Sequence, residues 1–463
     1  MSKISKRSNL DELHKFMKKF PDTQEMEIIM GDINGVIRGK RIRSNEFESI
    51  FNNGFSMPGS TVFLDILGQT IPDIKWSAED GDPDTGAHII AGSLTTIPWA
   101  KKPSAQALFS FVNDANEPFF AEPRAVLQKT LSKLKELVPT VVMAAELEFY
   151  LLDANSDRPT PKTSLIPGIG RPQPGPQCYH PDDLWDIEGF LNDLYAACEK
   201  QNIPAGTAIS EYAPGQFEIN LHHIDDPLVA CDHAMLLKRA IKAIARQHDF
   251  VACFMAKPFA EESGSGLHMH MSFIDMEGNN YFSQNKKELA QPPYSDNLRY
   301  AIGGLKETMG AATAIFAPNA NSYRRLRPEM FAPVEPNWGA NHRNVSLRIP
   351  ISDAKNLRFE HRVSGADANP YLVAAAILSG VHYGITHQCN PGKMIQEFEV
   401  ISLNQEIPNR WNKAIDEFED SKILPNYLGE EFCRTFIANR RFEESEFNNN
   451  ISDIDYSWYL RSV

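Results

Sequence analysis

Long apolar runs are missing from this sequence. No stretch of about 18 uncharged apolar residues occurs, and a helix that crosses a bilayer needs about that many, so no membrane partner is expected. The first residues also lack the apolar segment of a secretory signal, and we therefore expect a cytoplasmic protein.

Basic residues are scarce relative to acidic ones. The chain has 46 Lys and Arg against 60 Asp and Glu, and its formal net charge is −14. Nucleic-acid binding requires clustered Lys and Arg that neutralise phosphates, so nucleic acid is not expected as a partner. The balance does not exclude a local site for a small anion.

Two familiar sequence signals are also absent. The six cysteines are scattered and none forms a C-x-x-C pair, so we expect reduced thiols that are mostly buried as small apolar side chains. No G-x-x-x-x-G-K-[ST] loop is present, so any nucleotide has to bind by other means.

The length of 463 residues favours two domains, since a single core rarely grows that large. We expect an N-terminal tail or helix over residues 1–19, a β-rich domain over 20–114 and a larger domain over 118–463. A helix is predicted to begin at Glu122-Pro123, where an acid and a proline suit a first turn. Strands are predicted at 26–30, 36–42, 62–66 and 107–112, and further helices at 10–19, 183–201, 230–248, 297–314 and 370–386.

Segment 141–152 places two carboxylates on one side of a predicted strand. Because strand side chains alternate between faces, Glu146 and Glu148 share one face while apolar residues occupy the other. Burying two carboxylates without a counter-charge is costly. The pattern therefore fits either a solvent-facing edge with nearby salt bridges or a site that binds a cation.

A turn signal separates two more acids. Pro214-Gly215 lies between Glu211 and Glu218, and a turn there brings both carboxylates to one end of a hairpin. Two surface acids beside a loop are the alternative interpretation.

Two histidines share one face of another predicted strand. His268, His270 and Ser272 alternate with apolar residues, and the glycines before them permit close backbone approach to a ligand. A single histidine is more often a satisfied core residue than a metal ligand, but two on one face favour a site.

A fourth strand carries Arg358, Glu360 and Arg362 on one face, as either a self-paired ladder or a carboxylate flanked by two anion-binding groups.

Together the four segments offer five Glu and two His, and such oxygen-rich ligation suits Mg²⁺ or Mn²⁺. Metals and arginines are the usual components of phosphoryl transfer, so the residues alone indicate a metal-dependent phosphoryl-transfer or hydrolytic enzyme. Further arginines lie at Arg324, Arg325, Arg343 and Arg348.

Six segments, in this order, resemble successive signatures of the glutamine synthetase family, from about residue 20 to the C-terminus. The resemblance implies an α+β fold, with a small β-grasp N-terminal domain and a larger catalytic domain of antiparallel sheet with surrounding helices. It also implies active sites between neighbouring subunits of a homo-oligomer, usually a dodecamer of two hexameric rings. The segments are ELEFYLLD, EYAPGQFEINL, GSGLHMHMSF, NSYRRLRP, NVSLRIP and RFEHRVSGADANPYL.

Six residues match the metal ligands of that family, which holds two or three Mg²⁺ or Mn²⁺ ions. The resemblance assigns three of them to each of two metal sites. The first set is Glu148, Glu211 and Glu218, and the second is Glu146, His268 and Glu360.

Other positions match the substrate contacts of the family. Gly264, Arg325 and Arg362 would bind glutamate, and Arg343 would act catalytically by facing the transferred phosphoryl group. The resemblance thus implies that ATP phosphorylates the glutamate γ-carboxylate and that an amine then displaces phosphate. Positions that contact ATP are matched by His270, Ser272, Arg343, Arg348, Lys355 and Arg358.

Departures from the family pattern concern the amine. An acid that helps bind ammonium is missing from residues 58–61 (PGST), and Phe331 occupies the position of a second acid, with Glu329 shifted nearby. Ammonium has no apolar surface, so loss of both acids should weaken its binding. Met57 and Phe331 would instead offer apolar surface, and with Ser60 they are the amine-site candidates. The pattern is similar to γ-glutamylpolyamine synthetases, in particular γ-glutamylputrescine synthetases, which makes putrescine the leading candidate.

Three alternatives remain open. The chain could be a glutamine synthetase that uses ammonium, a non-catalytic scaffold or regulatory homologue, or a two-metal hydrolase. The sequence does not identify the amine, the choice between Mg²⁺ and Mn²⁺, or the base that takes the amine proton. Glu329, Glu335 and a carboxylate within residues 70–85 of a neighbouring subunit are candidates for that base.

Overall fold

The computed structural model describes residues 6–153, 159–173, 175–284, 293–328, 330–401 and 404–463, with the side chains of 6–8 and 78 left aside. None of the helices in these ranges combines the length and apolarity that a bilayer crossing needs. The helices are α1 (Lys6–Lys19), α2 (Phe47–Asn53), α3 (Pro123–Leu134), α4 (Pro181–Trp185), α5 (Glu188–Lys200), α6 (Pro227–Gln247), α7 (Asp296–Phe316), α8 (Pro370–His387), α9 (Trp411–Asp420), α10 (Pro425–Leu428), α11 (Glu430–Asn449) and α12 (Asp453–Tyr459).

The strands form two separate sheets in these ranges. Their mixture with the helices confirms the α+β class, and long strands occur where the sequence alternates or runs apolar. The strands are β1 (Glu25–Gly31), β2 (Ile37–Arg43), β3 (Phe55–Pro58), β4 (Asp84–Ile89), β5 (Thr95–Thr96), β6 (Ser104–Val112), β7 (Thr140–Asp153), β8 (Ala205–Ser210), β9 (Gln216–Leu221), β10 (Phe250–Cys253), β11 (Leu267–Ile274), β12 (Trp338–Ala340), β13 (Leu347–Ile349) and β14 (Phe359–His361).

The N-terminal sheet has six strands in the order β2-β1-β6-β4-β3, with β5 paired to β6. β1 and β6 run parallel, and the other pairs are antiparallel. The strand predicted at 62–66 is wrong, because a short 3-10 helix at Gly59–Val62 leads into a loop there. Asp65 stabilises that loop, since its side chain accepts a hydrogen bond from the Gln69 amide at 2.7 Å and so competes with strand pairing.

The second sheet has eight strands in the order β12-β13-β14-β11-β7-β9-β8, with β10 paired to β7. All its pairs are antiparallel except β12 with β13. β7 is the longest strand and pairs with three others, so it lies at the centre. Leu147 and Phe149 are buried on one face of β7, which leaves the opposite face for Glu146 and Glu148.

Helices α7 and α8 pack through glycines. A Cβ on Gly304 would lie 2.2 Å from the Gly380 carbonyl oxygen, and one on Gly384 would lie 2.1 Å from the Tyr300 carbonyl oxygen. Only glycine permits this approach of the two backbones. Most residues of α8 are buried.

A network of buried polar side chains ties α11 to the N-terminal part of the chain. We call Asn34, Asn439, Arg440 and Glu443 the tether cluster. Arg440 bonds to the side chain of Asn34 and ion-pairs with Glu443, and Glu443 accepts hydrogen bonds from the Ile66 amide at 2.7 Å and from Asn34 at 3.1 Å. The cluster fixes how the N-terminal sheet lies against α11. The domain limits of 20–114 and 118–463 stay a prediction.

Candidate active site

The register of the second sheet brings polar residues from four strands into one row. β7 lies between β9 and β11, and β14 follows β11, so each pairing adds one more side chain on the same face. Directly opposed residues have closely spaced Cβ atoms, so their functional groups meet. The opposed pairs are Glu148 with Glu218, Glu146 with His268, and His270 with Glu360.

The turn between β8 and β9 adds Glu211 to this row. Gly215 adopts a φ of 71°, and the Glu211 amide donates a hydrogen bond to the Gln216 carbonyl at 2.8 Å. Carboxylate oxygens of Glu148, Glu211 and Glu218 consequently lie within 4.8 Å of one another. The predicted hairpin is confirmed, and it brings both acids to one place.

Two other groups of possible ligands share Glu146, and one of them also shares Glu218 with the first group. His268 Nδ1 lies 3.4 Å from Glu146 and 3.8 Å from Glu360, and His270 Nε2 lies 2.9 Å from Glu146. Ligand atoms of two further triplets lie within 4.8 Å of one another: Glu146 with Glu218 and His268, and Glu146 with His270 and Glu360. All six predicted metal ligands are therefore neighbours. We call Glu146, Glu148, Glu211, Glu218, His268 and Glu360 the carboxylate cluster.

His270 also lies beside the carboxylate cluster, and its predicted contact with ATP stays a prediction. The resemblance assigns it to ATP, and the structure puts its ring at ligand distance from Glu146 and Glu360. Its Nδ1 also accepts a hydrogen bond from Arg358 Nε at 3.3 Å. The side chain thus joins the carboxylate cluster to an arginine that is predicted to contact the nucleotide.

Glu360 is a buried carboxylate of the cluster whose negative charge is compensated by two arginines. It is 1% exposed, pairs with Arg348 at 2.8 Å and contacts Arg362. Burial alone would raise its pKa, but Arg362 and the nearby histidines hold the pKa at about 2. Glu360 is therefore ionised at neutral pH.

Glu211 and Glu218 have a different environment. Burial, together with the charge of Glu148, raises the pKa of Glu211 to about 7. Burial and the charges of Glu146 and Glu148 raise the pKa of Glu218 well above its usual value. Burial is the main cause of these shifts and neighbouring negative charge the second, and divalent cations would offset both. Carboxylate oxygens with imidazole nitrogen also match the ligand preference of Mg²⁺ and Mn²⁺, so the residues fit such ions.

Histidines stabilise the charge of Glu146. Although burial opposes ionisation, hydrogen bonds with His268 and His270 hold the pKa of Glu146 well below its usual value. The cluster therefore combines two carboxylates with lowered pKa values, Glu146 and Glu360, with two whose pKa values are raised, Glu211 and Glu218.

Two glycines leave space for the side chain of Arg325, one of the predicted glutamate-binding residues. A Cβ on Gly264 would lie 2.8 Å from Arg325 Cγ, and a Cβ on Gly266 would lie 2.9 Å from Arg325 Nη2. The buried Arg325 guanidinium donates to the carbonyls of Val363 at 2.8 Å and Arg362 at 3.4 Å. Gly264, Arg325 and Arg362 are thus brought together beside the carboxylate cluster, as expected of one binding site.

The predicted nucleotide residues are spread around the cluster. Arg343 is exposed, and its positive charge acts to lower the pKa of Glu211. The Ser272 hydroxyl donates to the Leu357 carbonyl at 3.0 Å and accepts from the Asn280 side chain. Lys355 is exposed. Their nucleotide roles stay predictions.

The amine-site candidates lie on different parts of the chain. Met57 is half-buried on β3, and Ser60 is buried and donates to Asp82 Oδ2 at 2.9 Å. Phe331 lies on an exposed loop. Glu329 lies outside the described residues, and Glu335 is half-buried. A shared role for the three candidates in amine binding stays a prediction.

Sequence reasoning missed two tyrosines near Glu211. Tyr179 donates its amide to the Ser210 carbonyl at 2.9 Å, with a φ of 64°, and the charges of Arg343 and Glu211 both act on it. Tyr212 follows Glu211 directly, and its ring meets that of Phe331. Loop residues have no periodicity that could have revealed these contacts.

A family model described as the glutamine synthetase catalytic domain matches residues 120–459. The chain belongs to the glutamine synthetase family. The match includes all six residues of the carboxylate cluster, and the sequence-based assignment to this family is confirmed. Members of this family use ATP and divalent metal ions.

Individual relatives are similar over nearly the whole chain. A γ-glutamylputrescine synthetase of Escherichia coli is 38% identical over 458 residues, which cover 98% of this chain and 95% of that protein. A glutamate–isopropylamine ligase of a Pseudomonas species is 30% identical over 93% of each chain. The solved structure of a ligand-free GmaS superposes with a TM-score of 0.81 at 25% identity, covering 97% of this chain and 99% of that one. The similarity to these ligases confirms the predicted enzyme class.

Proposed function

We propose that this chain catalyses the ATP-dependent joining of the glutamate γ-carboxylate to an amine, with putrescine or a related polyamine as the amine. The observation that carries the proposal is the row of carboxylates and imidazoles built by the second sheet, in which Glu360 pairs with two arginines. A cation-binding row beside guanidinium groups suits phosphoryl transfer, where positioning and charge neutralisation provide most of the catalysis.

In the first step, an oxygen of the γ-carboxylate attacks the γ-phosphorus of ATP. A new P–O bond forms, the bond to ADP breaks, and γ-glutamyl phosphate results. Bound at the carboxylate cluster, divalent cations would neutralise charge on the phosphate oxygens. Arg343 would contact the transferred group, and its exposure and its charge effect on Glu211 support this role.

In the second step, the amine nitrogen attacks the γ-carbonyl carbon. A C–N bond forms, the C–O bond to phosphate breaks, and inorganic phosphate and one proton are released to solvent. Arg325 and Arg362 hold the glutamate α-carboxylate, since guanidinium groups bind carboxylates with good geometry. Gly264 leaves room for that contact because a side chain there would collide with Arg325.

The choice of an alkylamine over ammonium rests on the residues that occupy two positions of the sequence. The 58–61 segment has no acid, and Phe331 presents an exposed ring where an ammonium site would need charge. The relatives named for putrescine and isopropylamine support an alkylamine in general. A 28% identical glutamine synthetase of Halobacterium salinarum keeps ammonium as the second candidate.

The test is ADP release from the purified protein with glutamate, ATP and Mg²⁺ or Mn²⁺. The amine panel contains putrescine, spermidine, propylamine, isopropylamine and ammonium. The proposal predicts that ADP release depends on both glutamate and amine, with the highest kcat/KM for putrescine or a related polyamine. A higher kcat/KM for ammonium than for every amine would make the chain a glutamine synthetase, and ADP release without glutamate would make it a hydrolase.

A homododecamer of two hexameric rings stays part of the proposal. The amine-site candidates on the N-terminal sheet would then belong to a neighbouring subunit. Native mass spectrometry of the intact protein measures the number of subunits, and a monomer would contradict the shared site.

A further inference from the structure

Two aromatic rings from separate loops meet next to the carboxylate cluster. The ring centroids of Tyr212 and Phe331 are 4.7 Å apart, with an angle of 50° between the planes. Tyr212 directly follows Glu211, whereas Phe331 is more than one hundred residues away in the sequence. Both side chains remain accessible, with 43% of Tyr212 and 63% of Phe331 exposed. Two such rings form a small apolar surface that is open to a ligand.

Phe331 adopts an unusual backbone conformation. Its φ of 59° is in the left-handed region, where a bulky residue is a clear outlier. Such a conformation persists only when surrounding structure imposes it, and it is concentrated at binding and active sites. Here the conformation directs a large apolar ring to a position that is mostly solvent-accessible, which core packing does not explain.

Both rings are held by elements that also build the site. The turn that carries Tyr212 is closed by the hydrogen bond from Glu211 to Gln216, and Gln216 donates to the Gly264 carbonyl at 3.0 Å. Met330 precedes Phe331, and its sulfur lies 3.4 Å from Lys257 Nζ, at the start of the loop that contains Gly264. The segments that carry the two rings are thereby connected to Glu211 of the carboxylate cluster and to the loop that contains Gly264.

We propose that Tyr212 and Phe331 form an apolar wall that binds the alkyl chain of the amine and so determines the preference for alkylamines over ammonium. This inference rests on the proposed function and adds Tyr212, together with the physical basis of selection. Ammonium has no methylene groups to bury against the rings, whereas putrescine has four.

The same wall suits a second positive charge. Aromatic faces attract ammonium groups electrostatically, so the distal nitrogen of a diamine gains from the rings as well as the methylene groups. The wall therefore favours diamines over monoamines of the same chain length. Rejection of ammonium would then follow from missing contacts, without any repulsive group.

The test compares amine preference in variants of the intact enzyme. The measured quantity is the ratio of kcat/KM for putrescine to kcat/KM for ammonium. Tyr212→Leu and Phe331→Leu are each expected to lower this ratio about tenfold, the order of effect of losing a small apolar contact in a pocket. Because the rings touch, the double variant should lower the ratio by less than the product of the single effects.

Controls separate binding from folding. Tyr212→Phe keeps the ring and is therefore expected to rescue the ratio that Tyr212→Leu lowers. Tyr383→Leu removes another aromatic ring, one that contacts His387 and Glu307, and it should leave the ratio unaltered. Thermal unfolding of each variant verifies that it is folded.

The outcomes distinguish this inference from the proposed function. A wild-type enzyme that uses ammonium better than every alkylamine would overturn the function itself. A wild-type enzyme that prefers alkylamines, with the preference intact in both leucine variants, would overturn only the role of the wall. An equal loss of activity with putrescine and ammonium would also contradict it, because that result indicates general damage to the site.

Discussion

The tether cluster and the carboxylate cluster both bury charged side chains, and they differ in how those charges are balanced. Arg440 is 1% exposed and meets Glu443, two asparagines and the Pro318 carbonyl, so its charge is satisfied within the chain. Glu211 and Glu218, in contrast, face other carboxylates. In the tether cluster, loss of one partner would leave a buried charge unpaired, whereas the excess negative charge of the carboxylate cluster is what a site for cations from solution requires.

The largest effect on activity is expected from Glu148→Ala, which removes one carboxylate from the carboxylate cluster. We expect kcat/KM to fall by about a thousandfold or more, since charge stabilisation in the site is lost. The melting temperature should stay equal or rise, because repulsion from Glu211 and Glu218 is relieved. Steady-state kinetics and thermal unfolding measure both, with exposed Glu199→Ala as the matched control. Near-normal turnover would show that Glu148 is not a metal ligand.

The second prediction concerns the tether cluster, whose buried charges are paired within the chain. Arg440→Met leaves the buried carboxylate of Glu443 without its cation, which costs about 3–5 kcal/mol of stability. The next residue provides the control: Arg441 is 36% exposed and pairs with Asp416 and Glu419, so Arg441→Met should cost less than about 1 kcal/mol. Denaturant unfolding midpoints compare the two. Equal midpoints would mean that the tether cluster does not hold the N-terminal sheet in place.

Divalent metal should stabilise the wild-type protein. A ligand that binds only the folded state at a hundred times its Kd adds about 2.7 kcal/mol. Mg²⁺ or Mn²⁺ is therefore expected to raise the melting temperature of EDTA-treated protein, and Glu148→Ala should lose most of that rise. The readout needs no turnover. An equal rise in both proteins would place the metal outside the carboxylate cluster.

The smallest effect is expected from a buried carboxylate that belongs to neither cluster. Glu122 accepts hydrogen bonds from the Ser110 hydroxyl and the Phe111 amide, and burial raises its pKa to about 7. Between about pH 4.5 and 7 the folded state therefore binds more protons than the unfolded state, so stability falls as the pH rises, by up to about 2 kcal/mol.

Glu122→Gln should flatten that pH dependence. Unfolding midpoints at pH 5, 6 and 7 measure the slope for both proteins, and Glu199→Ala again serves as the control. Identical slopes for wild type and Glu122→Gln would contradict the buried-acid explanation.

Much of the fold was predictable because its elements have clear periodicity. The strand predicted at 141–152 is β7, and the helix predicted to start at Glu122-Pro123 is α3, whose N-cap residue is Glu122. The strand predicted at 62–66 failed because the side chain of Asp65 offers the backbone a local alternative. Local hydrogen bonds of this kind are invisible to a pattern of apolar residues.

The candidate site was predictable in its residues but not in its geometry. Alternation along one strand places Glu146 and Glu148 on a single face, yet it cannot show that Glu148 opposes Glu218. That register depends on pairing between segments about seventy residues apart. Arg440 was missed for a related reason, since a charged residue on a polar helix gives no sign that it is buried against distant asparagines.

The row of opposed residues across β9, β7, β11 and β14 also bears on how the enzyme can fail. Side chains alternate faces with a period of two, so a slip of one residue in any of these strands turns its contribution to the opposite side of the sheet. A slipped molecule could keep most of its backbone hydrogen bonds and still lack a ligand. Activity therefore requires these strands to pair in the correct register, and molecules with a slipped strand should be inactive rather than partially active.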